Sequence, residues 1–275
     1  MNEPKFRFSH NGVATIPCDL AKNALFFRVR LNGSEPLWFT LDSGAGATYI
    51  DQHLAEKMGL QFTGTRLVQG AGKGKIKVRT FGDVSFELPE VVSDRHQIHS
   101  ADLSSLHEQW GRRLDGFFGY DFLERFIVVL DYESKRLTVA DPSTFHYDGP
   151  GEVFPLEFQG NLPFIRGTVE VAGNPPEDSL LLVDSGSQDG VDHPLIASSF
   201  GAKPTTTGVG LGRETRGVFG RVERLQLGRF ELRGLFGAAG GAGLGARLIG
   251  GGVLSRFRVT FDYSHKRMIL ERTKQ

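Results

Sequence analysis

The chain has 275 residues, enough for one large domain or two of ordinary size, each with a substantial core. Lysine plus arginine and aspartate plus glutamate both number 32, so no overall electric field favours nucleic acid or an anionic membrane surface. Cys18 is the single cysteine, which excludes intrachain disulfides, cysteine-rich zinc modules and iron–sulfur clusters. No apolar run is long enough to cross a membrane. We therefore expect neither a nucleic acid nor a membrane as a partner.

Short runs of Val, Leu, Phe and Thr between glycine-rich turns predict an all-β protein. In chain order, the first half predicts strands near 13–16, 24–31, 37–41, 65–69, 75–81, 84–88, 126–130 and 136–140. A short helix is predicted over 51–60, where Leu54 and Met58 have helical spacing and Gly59 is a stop signal. A second helix or an irregular segment is predicted over 101–113.

Three histidines, His96, His99 and His107, are candidates for a metal site. Their spacing matches no common site and no cysteine supports it, so the sequence favours a surface loop at these positions. We expect no metal.

The chain contains an internal repeat. The segment "GYDFLERFIVVLDYESKR" (119–136) matches "GGGVLSRFRVTFDYSHKR" (250–267), with an Arg-Phe, an Asp-Tyr and a Lys-Arg pair in identical register. We therefore predict two homologous lobes, residues 1–145 and 146–275, joined near the turn-rich stretch "DPSTFHYDGPG". Where the first lobe has 101–113, the second carries "LFGAAGGAGLGARLIGG" (235–251), whose composition predicts flexibility.

Each predicted lobe contains an apolar strand that ends in Asp-Ser-Gly. The two stretches are "FTLDSGAGATYID", with Asp42, and "LLLVDSGSQDGV", with Asp184. A buried acid is costly unless it is paired, so the repeat predicts that the two carboxyls meet about an approximate two-fold axis. Two carboxyls in hydrogen-bond contact share one proton, and such a pair can deprotonate a water while protonating a carbonyl oxygen.

The residues after each aspartate have predicted supporting roles. The hydroxyls of Ser43 and Ser185 can bond across the pair, and Gly44 and Gly186 let the backbones approach closely.

The next position differs between the lobes, with Ala45 in the first and Ser187 in the second. If the Ser187 hydroxyl donates to Asp184, it favours ionised Asp184 and leaves the shared proton mainly on Asp42.

These motifs resemble the aspartic peptidases of the pepsin and retropepsin type, over nearly the whole chain. That family carries two apolar residues, Asp-Thr/Ser-Gly and, further on, two apolar residues and a glycine. Here the pairs are "FTLDSGA" with "FFGYDFL" and "LLVDSGS" with "LIGGGVL". The stretch "LDSGAGATYIDQHLAEKMGL" is particularly similar to bacterial retropepsin-like members. The resemblance implies a bilobal pepsin-like fold and an aspartic endopeptidase without a cofactor, in which Asp42 and Asp184 are the catalytic dyad.

The family also has a β-hairpin flap over its cleft. The matching candidate in the first lobe is "VQGAGKGKIKV", with Gly72, Lys73 and Gly74 near its tip, and in the second "TTTGVGLGRETRGVFG", which includes Gly210. The first candidate lacks the tyrosine of the pepsin flap. Its alternating basic residues, among them Lys75, indicate either a preference for acidic substrate positions or a solvated strand face.

The resemblance implies an extended polypeptide as the substrate, and two lobes in one chain predict a monomer. A second hypothesis keeps the fold but not the catalysis, so that the protein only binds peptides. A third is a structural β protein without cleft chemistry. The N-terminal stretch lacks a signal-peptide pattern, which leaves two compartments open: cytoplasmic, or periplasmic if a leader has been removed.

Overall fold

A computed structural model describes residues 5–70, 74–207, 211, 215–240 and 247–273. Strands make up 54% of the protein and helices 10%, so the prediction of the all-β class is confirmed. None of the described helices has the length and apolar character needed to span a membrane.

The first half of the chain folds mostly as strands. Its elements are β1 (Phe6–Phe8), β2 (Val13–Pro17), β3 (Asp19–Ala21), β4 (Ala24–Leu31), β5 (Leu37–Leu41), β6 (Tyr49–Asp51), α1 (Gln52–Lys57), β7 (Phe62–Gln69), β8 (Lys75–Leu88), β9 (Val91–Ala101), α2 (Ser104–Trp110), β10 (Gly116–Phe118), α3 (Tyr120–Leu123), β11 (Ile127–Asp131) and β12 (Arg136–Ala140). Both predicted helical regions contain a helix, and α1 begins where the Asp51 carboxylate accepts bonds from the N–H groups of His53 and Leu54.

The second half is also strand-rich. Its elements are β13 (Glu152–Pro155), β14 (Glu157–Gln159), β15 (Leu162–Glu170), β16 (Glu177–Val183), β17 (Val191–Asp192), a 3-10 helix (Pro194–Ser198), β18 (Lys203–Thr207), β19 (Thr215–Val222), β20 (Arg224–Leu227), β21 (Phe230–Leu232), β22 (Leu235–Gly240), β23 (Leu248–Ile249), α4 (Gly251–Leu254), β24 (Phe257–Asp262) and β25 (Arg267–Arg272). The prediction of flexibility over 235–251 is wrong for β22, which pairs with β19 and packs Ala238 and Ala239 inward.

The first-half sheet has nine strands in the order β1-β9-β6-β10-β5-β4-β8-β7, with β3 beside β4. Two predicted strands, 75–81 and 84–88, form the single strand β8, which bends at an irregularity near Asp83. Strand β9 was not predicted, because its many polar residues hide the alternation of a strand.

The prediction that His96, His99 and His107 lie on a surface loop is wrong. His96 and His99 are buried on β9, and His107 lies in α2. Hydrogen bonds make this burial possible, because His96 bonds to Ser93 (2.7 Å) and Arg125, and His99 bonds to Thr80 (3.1 Å).

The second half forms a seven-stranded sheet in the order β17-β23-β16-β15-β20-β21, with β14 beside β15, and a three-stranded sheet β18-β19-β22. In both halves the strand that precedes the aspartate pairs in parallel with the short strand directly before the repeated segment. Strand β5 pairs with β10, and β16 pairs with β23. The two Asp-Ser-Gly turns therefore leave their sheets in matching surroundings.

A six-stranded sheet, β13-β25-β24-β11-β12-β2, contains strands from both halves. Its central pair is β11 with β24, so the two copies of the repeat run antiparallel to each other, with Leu130 opposite Val259. Both strands are almost entirely buried. This shared sheet joins the halves through backbone hydrogen bonds as well as side-chain packing.

The ring of Phe118, directly behind the Asp42 turn, is the centre of an aromatic cluster in the core. It is fully buried, and its centroid lies 4.0 Å from that of Phe122, 4.8 Å from Phe86, 5.2 Å from Phe39 and 5.9 Å from Phe27. Packing of this kind holds the end of β10 against β5.

We expect Phe118→Ala to lower the free energy of unfolding by about 3–5 kcal/mol, because it removes a fully buried ring and leaves a cavity. Phe200→Ala is the matched control, since that ring is 98% exposed, and it should change stability by less than about 0.5 kcal/mol. Urea denaturation measures both values. Equal effects of the two substitutions would contradict this description of the core.

Candidate active site

Strand ends place both aspartates at one point. Asp42 follows β5 and its N–H donates to the carbonyl of Phe118 (2.9 Å), and Asp184 follows β16 and its N–H donates to Ile249 (2.9 Å). Each backbone is thus anchored to the short strand, β10 or β23, that directly precedes the repeated segment. Both residues are half-buried, and their carboxyls lie close enough that each shifts the pKa of the other.

The glycines of the two turns face the opposite carboxyl. A Cβ atom built on Gly44 would lie 2.6 Å from Cγ of Asp184, and one on Gly186 would lie 2.4 Å from Cγ of Asp42. Real Cβ atoms do not approach that closely, so no larger residue fits at either position without moving the carboxyls apart.

The two serines connect the turns reciprocally. The hydroxyl of Ser43 donates to the carbonyl of Val183 (2.7 Å) and accepts from the N–H of Ser185 (3.0 Å). The hydroxyl of Ser185 donates to the carbonyl of Leu41 (2.9 Å) and accepts from the N–H of Ser43 (3.0 Å). Both serines are buried, so these four bonds are shielded from water.

Burial and mutual repulsion perturb both acids. Burial, and then the charge of Asp184, hold the pKa of Asp42 well above its usual value, against a smaller lowering by the N–H groups of Gly44 and Ala45. Burial also raises the pKa of Asp184, but the N–H of Gly186 and the Asp42 carboxyl lower it. The pKa of each carboxyl is therefore raised, and more strongly at Asp42 than at Asp184.

Backbone hydrogen bonds contribute to this asymmetry. Oδ1 of Asp184 accepts hydrogen bonds from the N–H groups of Gly186 (2.9 Å) and Ser187 (3.1 Å). The N–H groups of Gly44 and Ala45 act on Asp42 as well, but Oδ1 of Asp42 has no hydrogen-bond partner in the described part of the chain. The expected bond from the Ser187 hydroxyl to Asp184 does not form; the backbone N–H of Ser187 makes the bond to Asp184, and the hydroxyl accepts from the N–H of Asp189 (3.3 Å).

Both candidate flaps belong to antiparallel hairpins, β7–β8 and β18–β19. Gly74 lies at the start of β8 with φ +84°, whereas Gly72, Lys73 and Gly210 fall outside the described residues. The basic residues Lys75 and Lys77 are exposed, as a solvated face predicts.

The two hairpins meet at Gly70 and Leu211. A Cβ atom on Gly70 would lie 1.6 Å from the carbonyl oxygen of Leu211, so only glycine allows this approach. The Leu211 side chain packs against an apolar cluster next to the first aspartate turn, which includes Ala45, Tyr49 and Ile76. Sequence reasoning missed Leu211, because nothing in its local pattern indicates a contact with the other half of the chain.

Tyr263 was also missed. It lies just after β24 in the repeat, and its ring packs against Phe158 (4.9 Å) and Tyr120 (5.7 Å). Burial, and then the charge of Asp42, raise the pKa of its hydroxyl. The Asp-Tyr pair of the repeat was the sequence signal available for Tyr263. The corresponding tyrosine in the first half is Tyr132, whose pKa is raised by burial alone. Only one copy of the repeated tyrosine therefore senses the charge of the aspartate pair.

No group of three or more histidine, cysteine, aspartate or glutamate side chains could hold a metal ion within the described residues.

The sequence model of a family described as "Aspartyl protease" matches residues 27–122, which contain Asp42 and Gly119 but not Asp184. A search of curated proteins found no match. The family match supports a protease of the hydrolase class.

We expect Ser43→Ala and Ser185→Ala each to lower the free energy of unfolding by about 2–4 kcal/mol, because each leaves a buried carbonyl and a buried N–H without a partner. The double variant should lose less than the sum, since the four bonds form one network. Urea denaturation of the two single variants and the double variant measures this. Strict additivity would show that the serines act independently.

Stability should also depend on pH through the aspartate pair. A raised pKa in the folded state stabilises the protein below the ordinary aspartate pKa of 3.8, and this contribution is lost as the pH rises through the folded pKa. Asp42→Asn keeps a neutral hydrogen-bond donor at every pH. The free energy of unfolding of Asp42→Asn minus that of wild type should therefore increase between about pH 4 and pH 8. The increase should be about 1.4 kcal/mol for each unit by which the pKa of Asp42 in the folded state exceeds its pKa in the unfolded state.

The matched control is Asp83→Asn, at an exposed position with φ +51° that asparagine tolerates. Urea denaturation from pH 4 to 8 provides the comparison. Parallel curves for wild type and Asp42→Asn would contradict the shared proton.

Proposed function

We propose that this protein is an aspartic endopeptidase that hydrolyses peptide bonds with Asp42 and Asp184 as its catalytic dyad. The observation that carries the proposal is the pair of adjacent carboxyls, each shifting the pKa of the other, on two turns that reciprocal serine bonds hold together. Buried acids are costly to maintain, and a pair with separated protonation states suits acid–base chemistry. The family match over residues 27–122 supports the same class of reaction.

The asymmetry of the pair assigns the proton transfers. Ionised Asp184 accepts a proton from a water as that water attacks the carbonyl carbon of the peptide bond. Protonated Asp42 gives its proton to the carbonyl oxygen, so that the tetrahedral intermediate is neutral. When the C–N bond breaks, the proton on Asp184 goes to the leaving nitrogen and a hydroxyl proton returns to Asp42. Water is the nucleophile, so no acyl-enzyme forms.

The proposed architecture is bilobal and pepsin-like, with lobes 1–145 and 146–275 and the bacterial retropepsin-like proteins as the nearest type. It is supported by the matching parallel pairs β5–β10 and β16–β23 and by the sheet that both halves share. The substrate would be an extended polypeptide lying between the dyad and the two hairpins. Because one chain supplies both aspartates, a monomer would be sufficient for activity.

The test is cleavage of an unfolded protein at several pH values by wild type, Asp42→Asn and Asp184→Asn. Each substitution should reduce kcat by at least about a thousandfold, because each removes one of the two proton transfers. Asp83→Asn should cleave at the wild-type rate. Wild-type activity should fall as rising pH removes the shared proton.

Equal cleavage by wild type and both dyad variants would overturn the proposal. Tight binding of a peptide with no cleavage by wild type at any pH would favour the peptide-binding hypothesis instead.

A further inference from the structure

A cavity of about 410 Å³ opens on the far side of the loop that follows Asp184. Its lining includes Gln188, Asp189, Phe219, Phe236, Gly252 and Arg256. It is independent of the proposed peptidase chemistry, because neither Asp42 nor Asp184 lines it.

The two halves can be compared position by position around this loop. In the first half the N–H of Tyr120 donates to the carbonyl of Ala45 (3.0 Å), and in the second the N–H of Gly251 donates to Ser187 (2.8 Å). With the backbones matched in this way, Asp121 corresponds to Gly252. The same register places Arg125 at the position of Arg256.

In the first half this position carries a carboxylate. Asp121 is buried, its Oδ1 accepts a hydrogen bond from Thr48 (2.8 Å), and its pKa is raised by burial to about 6. The charge of Arg125 acts in the opposite direction and lowers that pKa. Arg125 is therefore close enough to Asp121 to act on its charge, although its guanidinium hydrogen-bonds to His96.

In the second half the acid is missing and the arginine is retained. Glycine replaces the carboxylate at 252, while the Arg256 guanidinium donates to the carbonyls of Arg233 (2.9 Å) and Gly234 (3.4 Å). No acid forms a salt bridge with Arg256 within the described part of the chain, and the nearest charge that affects its pKa is the cation Arg272. A half-buried cation that lines a cavity favours an anion there.

The opposite wall is aromatic. Phe219 and Phe236 stack at 5.9 Å with an interplanar angle of 7°, and they remain 39% and 52% exposed. Exposed stacked rings next to a cavity offer an apolar surface to a ligand. Asp189 is the one acid among the described lining residues, and burial raises the pKa of its carboxyl.

We propose that this cavity binds a carboxylate attached to an aromatic or aliphatic group. The carboxylate lies in the cavity against the Arg256 guanidinium. The apolar group packs on Phe219 and Phe236. The loop that carries Asp184 forms part of the cavity, so a bound ligand also contacts the backbone that holds one half of the candidate dyad.

Calorimetric titration with N-acetylphenylalanine, and with its amide as the uncharged probe, tests the proposal. Wild type should bind the acid saturably and at least about tenfold more tightly than the amide, since only the acid pairs with Arg256. Phe236→Ala and Arg256→Gln should each weaken binding of the acid at least about fivefold. The matched controls Phe200→Ala and Arg233→Gln, which alter residues outside the cavity, should bind as wild type does.

Equal binding of acid and amide, or no saturable binding, would overturn the proposal. So would weaker binding by Asp189→Asn, which would indicate a cationic ligand group at that acid. Loss of binding in Asp42→Asn would place the ligand in the cleft instead. If Arg256→Gln does not fold, the acid–amide ratio in wild type and the Phe236→Ala comparison still decide the question. Peptide cleavage tests the dyad separately.

Discussion

The reciprocal hydrogen bonds between Ser43 and Ser185 are the constraint on which the rest of the site depends. Each hydroxyl bonds to one carbonyl and one N–H of the opposite turn, so neither half can complete its own turn alone. Two buried acids repel each other and lose hydration, a cost that would separate the halves if the serines did not hold them. When the two carboxyls share one proton, they repel each other less. The serine hydrogen bonds and the six-stranded sheet then offset the remaining cost.

The six-stranded sheet explains why the turns meet in register. Strands β11 and β24 follow Gly119 and Gly250, which pack against the loops after Asp42 and Asp184. The two strands pair with each other in antiparallel orientation. A shift of one residue in that pairing would turn buried side chains such as Leu130 and Val259 to the opposite face. The repeated sequence therefore defines one relative position of the halves, and that position brings Gly44 against Asp184 and Gly186 against Asp42.

Much of this arrangement could be predicted from the chain, and the failures have physical causes. Apolar runs in the first half predicted β2, β4, β5, β7, β8, β11 and β12, and the repeat predicted that Asp42 and Asp184 belong together. The short strands β1, β3, β6 and β10 were missed. Strand β9 was missed because its buried histidines are compensated by partners far along the chain, Thr80 and Arg125, that local pattern does not reveal. The direction of the Ser187 hydroxyl depends on a rotamer, and the Gly70–Leu211 contact depends on how the halves pack.

Joining two copies in one chain permits differences that two identical subunits could not have. The most consequential difference lies in the backbone of the two turns. The N–H groups of Gly186 and Ser187 donate to Oδ1 of Asp184, whereas Oδ1 of Asp42 has no partner in the described part of the chain and the N–H groups of Gly44 and Ala45 lower the pKa of Asp42 only against the larger effects of burial and of the Asp184 charge. A side chain at Gly186 would collide with Asp42, so this turn tolerates no larger residue there. The conformation of the two turns therefore makes two carboxyls of the same chemical type unequal, and it raises the pKa of Asp42 more than that of Asp184.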